Sequence, residues 1–229
     1  MIFMEQDVKQ SQYQYYEERA PEYDEIYSGG GPATMSEPDL YVRETKAVSD
    51  LIPKHIRGNH IDIACGTGYW LPCYHHKCSN ITLVDQSPAV LAECRKKIDS
   101  LGIKNKVNIM QANLFNHPLP KNSYDSAMVG FLISHFDEGE EQSFFDMLKS
   151  ILKPNGYFII LDSSWTAERA EVRNKNGLQT RTLNDGREFT IIKHYFDHND
   201  IVNLASRYDA DIEVLFEGRA YILAAGKFR

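Results

Sequence analysis

The means of holding a ligand are concentrated in the segment Asp62-Ile63-Ala64-Cys65-Gly66-Thr67-Gly68 and in an acid further on, Asp85. Without Cβ atoms, Gly66 and Gly68 let the backbone come close to a bound molecule, and a helix starting after them would offer amide hydrogens to a carboxylate. Asp85 follows Gly68 by seventeen positions and ends the next apolar run. A carboxylate there can accept hydrogen bonds from both hydroxyls of a ribose, so glycines and acid together point to an adenosine-containing cofactor. Two cofactor classes share that pair. A dinucleotide fingerprint Gly-x-Gly-x-x-Gly beginning at Gly66 requires glycine at position 71, where this chain has Leu71. A pyrophosphate is thereby disfavoured, with an NAD-dependent oxidoreductase kept as an alternative. S-adenosylmethionine has no phosphate and suits the incomplete fingerprint.

Periodicity supplies the elements that would place these groups. A first strand is expected at His60–Ala64, running into the glycine loop, and a second at Ile81–Val84, running into Asp85. Ser87 and Pro88 cap and start a helix with Val90, Leu91, Cys94 and Ile98 on one face, and Gly102 stops it. Strands at Val107–Gln111 and about 125–130 follow, then a helix carrying Phe144, Phe145, Leu148, Ile151 and Leu152. A turn at Pro154-Asn155-Gly156 leads into a fifth strand, Tyr157–Leu161. Alternating strands and helices predict an α/β fold with a mainly parallel, doubly wound sheet. Asn184-Asp185-Gly186 marks a hairpin between Thr180–Leu183 and Glu188–Ile192. After a helix at about 197–208, Ile212–Phe216 and Tyr221–Ala225 are expected to pair antiparallel at a sheet edge. Ahead of this, a helix at about 9–20 and a second beginning at Pro38 flank Gly29-Gly30-Gly31-Pro32.

In this order the motifs resemble the seven-stranded, Rossmann-like class I S-adenosylmethionine-dependent methyltransferases. The resemblance rests on His60–Gly68, Leu83-Val84-Asp85-Gln86-Ser87-Pro88, Gln111-Ala112-Asn113-Leu114 and Leu152-Lys153-Pro154-Asn155-Gly156, and it is strong over about residues 38–165. It implies that Ala64, Gly66 and Gly68 face the methionine part and that Asp85 and Gln86 hold the ribose. It further implies that Asp62 fixes the loop and the ammonium, that Asn113 and Leu114 flank the adenine, and that Gly130 lies beside the sulfonium. Many members have aspartate where this chain has Asn113, so an amide oxygen would receive the adenine amino group. Across nearly the whole chain the sequence also resembles a poorly characterised bacterial branch of small-molecule methyltransferases. That likeness rests on residues 15–24, on Gly130-Phe131-Leu132-Ile133-Ser134-His135-Phe136, on Leu161-Asp162-Ser163, and on 181–189.

Methyl transfer from a sulfonium needs positioning and exclusion of water more than a base. His135, just after the fourth strand, is the candidate catalytic residue, with packing of the following helix as its structural alternative. Tyr15, Tyr16, Arg19, Tyr23 and Tyr27 make residues 1–37 aromatic but poor in aliphatic anchors. They read as a mobile cover in which Tyr16, Arg19 or Tyr23 reaches the cofactor carboxylate or closes over the acceptor, hinged at Gly29-Gly30-Gly31. The chain is read as one domain, with this cover at 1–37, the cofactor-binding core at 38–165, and the hairpin and sheet edge at 166–229.

Composition limits the partners. A net charge of −7 repels a phosphate backbone, and Gly130-Phe131-Leu132-Ile133 replaces the Asn/Asp-Pro-Pro-aromatic segment that grips a base in amino-methylating enzymes of this fold. The expected partner is a small-molecule methyl acceptor, with no nucleic acid and no membrane. Cys65, Cys73, Cys78 and Cys94 form no CxxC pair and read as reduced thiols of a cytoplasmic protein. Around His75 and His76 a second ligand pair at finger spacing is lacking, so no metal is expected. A regulatory module that binds S-adenosylmethionine without turnover is the alternative from another class.

Overall fold

The computed structural model describes residues 2–33, 37 and 39–229. Helix α1 (Ile2–Glu18) leads into a 3-10 helix, Ala20–Ser28, which ends at Gly29 in the left-handed region. Helix α2 spans Leu40–Leu51; Pro38, where the sequence reading starts it, lies outside the described residues. The remaining order is β1 (Gly58–Ile63), α3 (Leu71–Tyr74), β2 (Cys78–Asp85), α4 (Pro88–Leu101), β3 (Val107–Gln111), β4 (Tyr124–Gly130) and α5 (Glu138–Ile151). It continues with β5 (Leu152–Ser163), α6 (Ala167–Ala170), β6 (Asn176–Thr182), β7 (Glu188–His194), α7 (His198–Arg207), β8 (Ala210–Glu217) and β9 (Tyr221–Phe228).

Seven strands form one sheet in the order β3-β2-β1-β4-β5-β9-β8, and β6 with β7 forms a separate hairpin. Strands β3, β2, β1, β4 and β5 pair in parallel, whereas β9 pairs antiparallel with both β5 and β8. This is the mainly parallel sheet with an antiparallel C-terminal pair that the strand-helix alternation predicts. In β5 the period of two is plain. Phe158 and Ile160 enter the layer holding Phe144, Phe145 and Leu148 of α5, while Ile159 and Leu161 face Leu71, Leu91 and Val48. Both faces are covered, which is why the strand reads as an unbroken apolar run.

One expectation is corrected. β5 begins at Leu152, not after Pro154-Asn155-Gly156: Leu152 pairs with Tyr124, and the turn, with Asn155 at φ 62°, becomes an irregularity inside the strand. The N-terminal segment is packed closely onto the rest of the fold. Tyr27 stacks on Tyr69 with ring centroids 3.7 Å apart and meets Trp70 edge-on. Tyr15 packs with Leu183 and Ile191 of the hairpin. Ser11 Oγ accepts from Thr190 N at 2.9 Å and Gln12 Oε1 from Ile192 N at 3.1 Å, so helix α1 satisfies amides along β7. Tyrosine rings here supply the apolar area that aliphatic side chains supply elsewhere. No helix among the described residues is long and apolar enough to cross a membrane.

Candidate active site

The strand order reverses between β1 and β4, and the carboxyl ends of β1, β2 and β4 open there onto a cavity of about 770 Å³. At its wall the loop after β1 is held in an unusual backbone. Ala64 has φ 55° and Gly66 has φ 54°, and after β4 Phe131 has φ 54°. Two non-glycine residues in the left-handed region of one cavity wall mark a backbone that the surrounding packing must impose. A Cβ on Gly66 would stand 3.7 Å from the Tyr23 ring, whereas one on Gly68 would stand 2.7 Å from Cys94 Sγ. Gly68 therefore serves the contact of the loop with α4, and it does not line the cavity.

Asp85 ends β2 on the cavity wall. Its carboxylate accepts from Gly66 N and Ser87 N, each at 2.9 Å, which locks the loop after β1 to the start of α4. Burial raises its pKa, and the amides of Ser87 and Gly66 oppose that rise. Ser87 caps α4 by accepting from Val90 N at 3.2 Å, and its hydroxyl donates to Glu17 of α1. Beyond β3, Asn113 Oδ1 accepts from Phe115 N at 3.0 Å and Nδ2 faces Gln86 Oε1 at 3.4 Å. The amide oxygen keeps one lone pair for a ligand. Gln86, Asn113, Leu114 and Gly130 line the same cavity, with Tyr13 and Tyr16 of α1 opposite.

His135 also reaches this wall. Its Nδ1 lies 2.5 Å from the carbonyl oxygen of Ile192, which can only accept, so Nδ1 carries the proton. Nε2, 2.7 Å from the Tyr16 hydroxyl, then accepts from it. Burial, with Lys193 next, holds the imidazole well below its ordinary pKa, so the ring is neutral with both nitrogens engaged.

Asp62 and Arg19 stand apart from the large cavity. Asp62 is buried behind the glycine loop and accepts from the Tyr74 hydroxyl at 2.6 Å. Burial pushes its carboxyl up to about 7 from 3.8. A carboxyl raised on folding stabilises the protein while protonated, and that contribution is lost as pH climbs from its unfolded value through the raised one. Asp62→Asn is therefore expected to flatten the decline in melting temperature between about pH 4 and about pH 7. Parallel curves for the two proteins would exclude ionisation of Asp62 in that range.

Arg19 lines a second, smaller cavity of about 70 Å³. The two cavities share Tyr16, Tyr23, Phe131 and His135 as a common partition. The small cavity also receives Arg181 and Lys193 from the hairpin and Arg169 from α6. Lys193 and Arg169 were not singled out from the sequence. Lys193 was findable, because it falls two residues after Ile191 on the buried face of β7.

Residues 61–160 match the Methyltransferase domain family. Ubiquinone/menaquinone biosynthesis C-methyltransferase UbiE of Wigglesworthia glossinidia brevipalpis is 34% identical over 107 residues, 45% of this chain and 42% of that protein. Phosphatidylethanolamine N-methyltransferase of Cereibacter sphaeroides is 29% identical over 83 residues, 36% of this chain and 40% of that protein. The chain thus spans less than half the length of the curated relatives it matches. Among solved structures, the DhpI-SAM-HEP complex superposes with a TM-score of 0.77 at 23% identity, covering 96% of this chain and 98% of the other. An S-adenosylmethionine-dependent methyltransferase from Clostridium acetobutylicum ATCC 824 gives 0.64 at 17% identity, covering 91% and 98%. The fold is that of the class I S-adenosylmethionine-dependent methyltransferases, as the sequence motifs imply.

Proposed function

From that fold and its matched methyltransferase domain, we propose that the protein transfers a methyl group from S-adenosylmethionine to a small-molecule acceptor. The observation that carries this reading is the Asp85 carboxylate, fixed by two amides on the wall of a cavity of about 770 Å³. The donor set fits the cofactor. Asp85 and Gln86 would hold the ribose, Asn113 and Leu114 the adenine, and the Ala64–Gly66 backbone, with Tyr16 and Tyr23, the methionine end. Asp62 would act through the loop it supports, and Gly68 through the packing of that loop on α4. Bound there, S-adenosylmethionine supplies an electrophilic methyl group on a sulfonium.

What remains for the chain is to orient the acceptor and exclude water. Gly130 and Phe131 would form the backbone floor at the transfer point. His135, already accepting from Tyr16, would act as a positioning residue that fixes the phenol on the partition between the cavities. This accounts for a buried neutral imidazole without assigning it a proton from the acceptor.

Calorimetry on the full chain tests the reading. S-adenosylhomocysteine and S-adenosylmethionine are expected to bind at least about tenfold more tightly than NADH, because Leu71 stands where the dinucleotide fingerprint has the glycine that packs its helix closely against the strand. Tight NADH binding with no S-adenosylhomocysteine binding would replace it with a dehydrogenase.

A further inference from the structure

The small cavity is walled by more positive charge than the protein needs to hold itself together. Arg19, Arg169, Arg181 and Lys193 are each at most 7% exposed, and the buried carboxylate of Asp162 pairs with Lys193. Lys193 Nζ lies 2.8 Å from Asp162 Oδ1 and 2.7 Å from Ser134 Oγ, so that lysine is matched. Arg169 donates to the carbonyls of Arg219 and Ala220 and lies over the Tyr195 ring.

Among the described residues Arg181 and Arg19 have no carboxylate partner, and Arg19 lies over the Tyr15 and Tyr23 rings much as Arg169 lies over Tyr195. Arg181 reaches the Tyr195 hydroxyl at 3.1 Å and the Thr180 carbonyl at 3.4 Å. Arg19 reaches the Tyr15 hydroxyl at 3.1 Å and the Tyr23 carbonyl at 3.4 Å, and its buried Nε has no partner. Burying a guanidinium without a counter-charge is costly, and a chain that keeps two such groups at one cavity has left room for an anion. Tyr195 reports the resulting field. Burial alone would raise its phenol, yet Arg181, Lys193 and Arg169 together hold it below the ordinary value.

We propose that this cavity is the acceptor-recognition site and that it binds the oxyanion head of a small substrate, a carboxylate or a phosphate-type group, through Arg181 and Arg19. The inference rests on the methyltransferase reading for the word acceptor; anion binding itself does not. A volume of about 70 Å³ admits a head of a few heavy atoms and excludes a polymer backbone. Guanidinium forks suit both oxyanion types because each presents two oxygens for paired donors. The shared partition of Tyr16, Phe131 and His135 sets the bound head directly beside the cofactor cavity.

The test titrates the full chain, saturated with S-adenosylhomocysteine, with acetate and separately with methylphosphonate, each against chloride at equal ionic strength. At least one oxyanion is expected to bind saturably and to raise the melting temperature, and the arm that responds identifies the head group. Arg181→Gln is expected to weaken that binding by about tenfold or more and Arg181→Lys by less, with S-adenosylhomocysteine affinity unchanged within about threefold. Arg181→Lys also serves if Arg181→Gln does not fold. Cofactor binding without a response to either oxyanion beyond chloride overturns the proposal, as does an oxyanion response that Arg181→Gln and Arg181→Lys leave intact. Loss of S-adenosylhomocysteine binding in the unaltered protein would instead overturn the methyltransferase reading, and the oxyanion arms are then read on the protein alone.

Discussion

Asp85→Ala is expected to weaken S-adenosylhomocysteine binding by about 1.5–3 kcal/mol, roughly tenfold to a hundredfold, in a protein that still folds. The substitution removes a charged acceptor from the cavity wall, and it also releases the Gly66 and Ser87 amides that the carboxylate now ties together. Both losses fall on ligand binding. The sheet beneath is held by Ile61, Ile63, Leu83 and Val84, which are fully buried and remain untouched. Asp85→Asn separates the two contributions, since its amide oxygen can still accept from one of the two amides but carries no charge toward a ribose. Calorimetry on both variants, with melting temperatures as the folding control, checks the expectation. Unchanged affinity in folded Asp85→Ala would move the adenosine site away from the end of β2.

How far the sequence spoke for this site follows from what each residue depends on. The parallel core was legible because its signals are local: Ser87 and Pro88 start α4, Gly102 at φ 67° ends it, and β5 is apolar on both faces. Asp85, Gln86, Asn113 and Gly130 were legible because they sit at strand ends, where a parallel sheet displays its ligand-binding groups. Gly68 and Asp62 share the glycine motif yet face inward, toward Cys94 and Tyr74. Sequence spacing cannot distinguish a loop residue that touches a ligand from one that supports the loop. The small cavity was hardest to foresee. Arg19 lies far from Arg169, Arg181 and Lys193 in the chain, and it meets them only because the β6–β7 hairpin folds back over the partition. The available clue was Gln179 and Arg181 on β6 and Lys193 on β7, polar groups at positions where a half-buried hairpin should place apolar ones.

The packing of the N-terminal segment decides what its removal would do. A cover that merely lay over the sheet could be removed without harm to the fold. Here removal of residues 1–28 would strip Tyr27 from Tyr69 and Trp70, leave Leu183 and Ile191 without Tyr15, and take away the partners of the Thr190 and Ile192 amides. It would also break the contacts of Glu17 with Ser87 and of Asp24 with Thr67 and Lys97, which tie the segment to the glycine loop and to α4. Burial of one large aromatic side chain is worth about 1.5–3 kcal/mol, so losing Tyr15 and Tyr27 should lower stability by several kcal/mol. The truncated protein is therefore expected to melt well below the full chain and to lose S-adenosylhomocysteine binding, because Tyr13, Tyr16 and Tyr23 leave the cavity wall together. Urea unfolding and calorimetry on the two forms measure both effects. A truncated protein as stable as the full chain would show the segment to be a detachable cover. Retained cofactor affinity despite lost stability would confine its role to holding the hairpin against the sheet, with the α1 tyrosines no part of the ligand site.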